Sequence, residues 1–171
     1  MTIIAEVSVS GDAELVAKLR QLGGMAPRAI EAGMFVWGEE TIGEAKELVP
    51  VDTGNLRASG FVMTDSLVAF NGPEAKPTSQ ALRLRENTSN EVRGVLGFGG
   101  PAAPYALVVH ENPRSGKTGG VSPSGKKYKT WARVGQWKYL ETAVKNHASR
   151  LSVRVAESVA RMLERLARGA T

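Results

Sequence analysis

The chain has 171 residues, with 22 Lys and Arg against 17 Asp and Glu, and no cysteine. That length suffices for one well-buried core and is short for two ordinary domains, so a single domain over residues 1–171 is expected; without cysteine, a disulfide framework, a thiolate zinc site and a cysteine nucleophile are all excluded. The net charge of +5 favours anionic partners such as nucleic acid or an acidic protein surface. No run approaches the ~20 apolar residues of a membrane span, and MTIIAEVSVS lacks the basic start and apolar stretch of a signal peptide, so assembly in the cytoplasm without membrane contact is the expectation.

Residues 3 to 9 are β-prone, and Gly11-Asp12 offers a turn and a helix cap. A short helix over Ala13 to Leu22 is predicted, with Leu15, Leu19 and Leu22 on one side and Gly23-Gly24 ending it. Pro27 opens a longer helix carrying Ile30, Met34, Trp37, Thr41, Ala45 and Leu48 along one stripe, and Pro50 forbids its continuation. Gly33, Gly38 and Gly43 lie inside it, each costing about 1 kcal/mol relative to alanine. Such a load implies close packing against another backbone, or else a bent or broken helix.

Phe61 to Phe70, Glu91 to Gly99 and Tyr105 to His110 read as strands. Two polar stretches, about 71–90 and 112–129, read as flexible loops, although Ala81 to Arg85 could form another strand. From Trp137 to about Arg168, the residues Leu140, Val144, Ala148, Leu151, Val155, Val159, Met162 and Leu166 recur at threes and fours. They predict one helix of roughly 45 Å at ~1.5 Å per residue. The elements give an α+β fold: a small, mostly antiparallel sheet packed against a long helix from the N-terminal half and a long C-terminal helix.

Arg150, Arg154, Arg161, Arg165 and Arg168 fall within about 60° of one another on that last helix, on the side read as opposite its apolar stripe. Glu157 and Glu164 can pair with Arg161 and Arg168 at spacing four. The ridge is open to three readings: a solvated salt-bridged face, a seat for an acidic protein neighbour, or a contact to DNA in a channel.

The stretch ALVVHENPRSGKT resembles a strand entering a phosphate loop, but that loop requires a glycine where Glu111 stands. A carboxylate there opposes phosphate approach, and no apolar helix follows Thr118. The two histidines, His110 and His147, have no metal-ligand spacing. His147, at the border of the helical stripe, reads as a packing residue. His110-Glu111 could be an acid/base pair, or could serve an interface or cap the core; with no nucleophile nearby, the second reading is preferred and neither an enzyme nor a cofactor is expected.

The sharpest local signal is AKELVPVDTGNLRASG, residues 45 to 60. A helix stops before Pro50, Asp52 and Thr53 can bond nearby amides, Gly54 can take positive φ, and Leu56 returns to the core ahead of Arg57. This is a rigid corner between a helix and a strand. As a pattern it resembles the phage tail-component family of minor tail, tail-completion and neck proteins, which includes relatives of minor tail protein Z. The matching letters are Ala45, Pro50, Val51, Asp52, Thr53, Gly54, Leu56, Arg57 and Ser59, then Tyr105, Ala106, His110 and Glu111, then Lys138-Tyr-Leu-Glu141 opening the last helix. The polar loop from Asn71 to Asn90 and the Gly/Ser/Lys-rich insertion from Asn112 to Lys129 depart from it.

The resemblance implies a structural virion protein of the phage neck or tail: a ring subunit, hexameric or alternatively dodecameric, that joins the head connector to the tail or completes the tail. Its implied neighbours are further copies, connector or head-closure proteins, and tail-terminator or tail-tube proteins. The surfaces expected to meet them are Tyr105, His110, Glu111, Arg114, Lys117, Lys126, Lys127 and the arginine ridge. The alternative is a DNA-binding module using that ridge together with Lys117, Lys126, Lys127 and Lys129.

Overall fold

A computed structural model describes residues 2–7, 20, 22–51, 53–64, 66, 68–70, 92–116 and 135–169. Four short strands, β1 (Ile3–Val7), β2 (Phe61–Thr64), β3 (Val68–Phe70) and β4 (Gly94–Phe98), form one sheet in the order β1-β4-β2-β3. Every neighbouring pair is antiparallel, with Ile3 opposite Phe98 and Val62 opposite Leu96. The expected single strand from Phe61 to Phe70 is a hairpin instead. Its turn is fixed by the buried Glu31 carboxylate, which accepts from the Ser66 amide and hydroxyl and, at 2.8 Å, from the Thr64 hydroxyl. A partner 33 residues away in sequence leaves no mark on local alternation.

The long helix α1 (Ala26–Leu48) follows a 3-10 turn over Gly23–Met25 and carries Pro27 in its first turn, where a missing N–H costs nothing. It ends at Val49, which is extended ahead of Pro50 as a pre-proline residue should be. One side, with Met34, Gly38 and Ile42, packs on the inner face of the sheet; the other, with Gly33 and Trp37, meets the C-terminal helices. A side-chain carbon on Gly33 would sit 2.5 Å from the Val155 Cα, and one on Gly38 would sit 2.6 Å from a Val62 methyl. Close packing explains two of the three helical glycines. Gly43 is exposed and touches nothing within 4 Å, so it has no such explanation.

The inner face of the sheet supplies Val62, Leu96 and Phe98 to the main core, where they join Trp37, Leu56, Tyr139, Leu140, Val155 and Val159. Alternate residues point the other way. Phe61, Met63 and Val95 form a second buried cluster with Ile4 on the opposite face. The result is the expected α+β arrangement, a small antiparallel sheet against a long helix from the N-terminal half and a long C-terminal helix.

Some further expectations cannot be compared with the described residues, and others change. The predicted helix over Ala13 to Leu22, the loop from 71 to 90 with its candidate strand, and most of the 112–129 loop lie outside the described residues, although Arg20 and Leu22 are helical. Tyr105 to His110 is not a strand: Ala106–Glu111 forms the short helix α3, with Ala106 and His110, one turn apart, buried and Val108 68% exposed. A short apolar run such as Tyr105 to Val109 fits either period, and tertiary packing chose the helical one. A one-turn helix, α2 (Asn55–Ala58), also intervenes in the corner before β2.

The C-terminal helix is two helices, α4 (Tyr139–His147) and α5 (Arg150–Gly169). No proline or glycine marks the break at Ala148-Ser149. Its cause is the Trp37 indole N–H, which donates at 2.8 Å to the His147 carbonyl. That carbonyl would serve the Leu151 amide in a continuous helix; instead Leu151 N–H turns to Ala148 O at 3.4 Å.

Candidate interface site

The corner forms largely as its letters predict. Pro50 is buried, Gly54 has φ 88° and caps α2, and Leu56 points into the core. The Thr53 hydroxyl accepts the Asn55 amide at 3.5 Å, and Arg57 reaches back 3.1 Å to Glu47 on α1. Ser59 ties the corner to the sheet: its hydroxyl donates to Leu56 O at 2.7 Å and accepts the Gly99 amide at 3.1 Å. Asp52 lies outside the described residues. Beside the corner, burial first and the Arg57 charge second push the Lys46 ammonium below its ordinary pKa.

The segment 135–142 links this corner to α3. Gln136 N–H donates at 2.7 Å to Leu48 O, one of the carbonyls left free at the end of α1, and Gly135 (φ 92°) packs directly on the Val49-Pro50 backbone. Two residues on, Lys138 N–H donates at 2.8 Å to His110 O. Gly116 (φ 77°) lies against Gly135 so closely that a side-chain carbon would overlap the Gly135 carbonyl. The chain therefore leaves for residues 117–134 and returns at one point on the corner.

Lys138 has φ 55°, an unusual conformation for a residue with a side chain. Its amide contact and its ammonium over-determine it: Nζ lies 2.7 Å from Glu111 and 3.2 Å from Glu141. Lys138, and then His110, hold the Glu111 carboxyl below the usual range; Lys145, and then Lys138, do the same for Glu141. In return Glu111, and then Glu141, raise the Lys138 ammonium.

His110 is only 4% exposed, so it supports this joint from inside. Its Nδ1 lies 2.8 Å from Glu111, and its Nε2 faces the Glu141 amide at 3.5 Å in the first turn of α4. The neutral tautomer with the proton on Nδ1 satisfies both contacts, and the imidazole then acts as an N-terminal cap supplied from α3. Its ring meets Tyr139 edge to face at 4.9 Å, and Tyr139 stacks in the same manner on Phe98. The Tyr139 hydroxyl donates to Ala106 O at 3.2 Å, and burial raises its pKa. Of the two readings of His110-Glu111 other than acid/base chemistry, the geometry matches core capping for His110. Glu111 is exposed, as are Tyr105, Val108 and Arg114.

The arginines do not act as one ridge. At ~100° per residue they lie about a quarter turn from the buried face of α5 and flank it rather than oppose it. Arg154 accordingly folds inward, 2.6 Å from Glu40 on α1 and 2.8 Å from Glu157, and these carboxylates raise its pKa, Glu40 more than Glu157. Arg168 lies 3.7 Å from Glu164. Arg150, Arg161 and Arg165 are exposed with no ion-pair partner among the described residues. Lys117, Lys126, Lys127 and Lys129 lie outside those residues.

His147 is buried, as a packing residue should be, with Nε2 2.6 Å from Glu44. Sequence reading missed Glu40, Glu44 and Gln136, whose partners are remote in sequence, and it missed the strained Lys138, for which no residue signal exists. Among the described residues no helix is long and apolar enough to cross a membrane, and no three metal-ligating side chains come together. No family model, curated protein or solved structure matches the chain.

Proposed function

We propose that the chain is a non-enzymatic structural subunit of the neck or tail end of a tailed bacteriophage, assembling as a homo-oligomeric ring that joins the head connector to the tail or completes the tail. What supports this reading is the meeting of three separate blocks. The corner at 50–59, the 105–111 block and the 138–141 block carry the resemblance, and the segment 135–142, which contains the third, meets the corner and the adjoining end of α1 through Pro50 and Leu48 O, and the second block through His110 O, Glu111 and Ala106 O. Residues joined by capping, stacking and main-chain bonds serve to hold a frame. In this reading the exposed Tyr105, Val108, Glu111 and Arg114 beside the joint meet neighbouring proteins of the virion. Electron microscopy of particles and assembly intermediates carrying the protein tests it: density in the neck or tail end is expected. Normal particles that lack the protein, with assembly unaffected by its deletion, would refute it.

A second reading, as a DNA-binding module, draws on Arg150, Arg161 and Arg165, exposed and with no ion-pair partner among the described residues. Three phosphate contacts would give a slope of about −3 in log affinity against log salt. Fluorescence anisotropy with duplex DNA at several salt concentrations measures it, and undetectable or salt-insensitive binding removes this reading.

A further inference from the structure

We infer that copies of this chain meet head to tail: the end of α5, Ala160 to Gly169, is an arm that docks on an apolar patch beside α3 in the next copy. This names the surfaces of the homo-oligomer proposed above and rests on that part of the reading, not on the virion. The apolar stripe of α5 continues through Met162, Leu163 and Leu166, yet its last buried residue is Val159. From Ala160 onward no residue of α5 is buried, and Leu166 is 40% exposed. Arg161 and Arg165 flank this uncovered stripe, with no ion-pair partner among the described residues. An amphipathic helix end with a basic flank suits an apolar surface edged by carboxylates.

The described residues offer such a surface. Tyr105 and Val108, three residues apart at α3, are 40% and 68% exposed, and Trp137 is 40% exposed. Trp137 is fixed beside them because both neighbours are bound inward, Gln136 N–H to Leu48 O and Lys138 N–H to His110 O. Glu111 and Glu141, bridged by Lys138, supply the carboxylates. Of the five large apolar residues exposed among the described residues, only Val153 lies outside the patch and the arm, and aromatic residues such as Tyr and Trp are those that anchor interfaces. The two surfaces lie near opposite ends of α1. The patch adjoins Leu48, where α1 stops, whereas α5 runs back toward its start, pairing Glu44 with His147, Glu40 with Arg154 and Gly33 with Val155. About 30 Å of α1 separates them, so no arm reaches the patch of its own chain while α5 stays seated on α1. A second copy supplies it, and because the two surfaces differ, the contact repeats from copy to copy and closes a ring or extends a filament.

Two substitutions at exposed positions test this by complementation. Val108→Arg disables the patch and Leu166→Glu disables the arm; each should weaken self-association about tenfold or more in sedimentation equilibrium. Mixed one to one, at a concentration where each alone is monomeric, they should form a 1:1 dimer through the intact arm of the Val108→Arg chain and the intact patch of the Leu166→Glu chain. Wild type should grow beyond a dimer. If either variant does not fold, Tyr105→Ser replaces it at the patch and Arg165→Glu at the arm. Variants that self-associate as wild type does overturn the docking and leave the homo-oligomer standing. Variants weakened singly whose mixture stays monomeric overturn the head-to-tail pairing. A wild type that is monomeric at about 1 mM overturns the docking and the homo-oligomer together.

Discussion

Gly33→Ala and Gly43→Ala make the same chemical change ten residues apart in α1, yet should move stability in opposite directions. At Gly33 the new methyl would lie 2.5 Å from Val155 Cα, 2.8 Å from Arg154 O and 2.9 Å from Val155 N. Carbon contacts are comfortable at ~3.5–4.0 Å, so α1 and α5 must separate by about 1 Å, and no flexible side chain can absorb the strain. Overpacking costs ~1–3 kcal/mol, and three main-chain neighbours place this site at the upper end. The gain in helix propensity returns ~1 kcal/mol, leaving a net loss of about 2 kcal/mol. Gly43→Ala meets nothing within 4 Å, so the propensity term stands alone and stabilises by up to about 1 kcal/mol. For a chain of this size each kcal/mol moves Tm by about 2–4 °C. Thermal denaturation should therefore show Gly33→Ala about 4–8 °C below wild type and Gly43→Ala about 2–4 °C above it. Equal shifts in the same direction, or a Gly33→Ala variant indistinguishable from wild type, would refute the claim that α1 and α5 touch backbone to backbone.

Three other outcomes are expected. Gly54→Ala, at φ 88°, should cost about 1–2 kcal/mol in urea denaturation, and an unchanged midpoint would remove the left-handed corner from the explanation. Because Glu111 has its folded-state pKa depressed by Lys138 and His110, its stabilisation is complete above the ordinary carboxylate value of ~4.3 and is lost as pH falls through the lower folded value. The stability gap between wild type and Glu111→Gln should therefore narrow below about pH 4, whereas a gap constant down into strong acid would exclude the ion pair as its source. If DNA is bound, Arg161→Gln with Arg165→Gln should reduce the magnitude of the salt slope by about two, while Arg154→Gln, already committed to Glu40 and Glu157, should leave it unchanged; equal effects would show that the flank position of Arg154 was misread.

The parts legible in the sequence are those whose cause is local. Pro27 and Pro50 bound α1, the apolar stripe selects its buried side, and Gly54 announces a positive φ, because each acts through its own backbone or the next turn. What escaped reading depends on distant partners. Nothing near Ala148 signals a break; the cause is an indole 110 residues earlier on the chain. The hairpin inside Phe61 to Phe70 depends on Glu31, and the inward turn of Arg154 depends on Glu40. In α3, the four apolar letters Ala106 to Val109 cannot choose between periods until His110 finds the start of α4. The candidate joint was visible as three strings of letters, but its linking segment was not, since Gly135 and Gln136 act through main-chain atoms that any sequence supplies.

The contact between Gly116 and Gly135 gives the fold a natural graft point. Exit and re-entry occupy one place on the Pro50 corner, so the two ends of the excursion are brought together by the frame itself. Closing a longer excursion costs only ~0.6 kcal/mol per doubling of its length. The cost of closing the chain here should therefore be nearly blind to the length of the excursion, whereas a single side chain at Gly116 or Gly135 would wedge the clasp apart and lower the melting temperature of the frame. The clasp, rather than the chain between its two ends, is where this part of the frame is vulnerable.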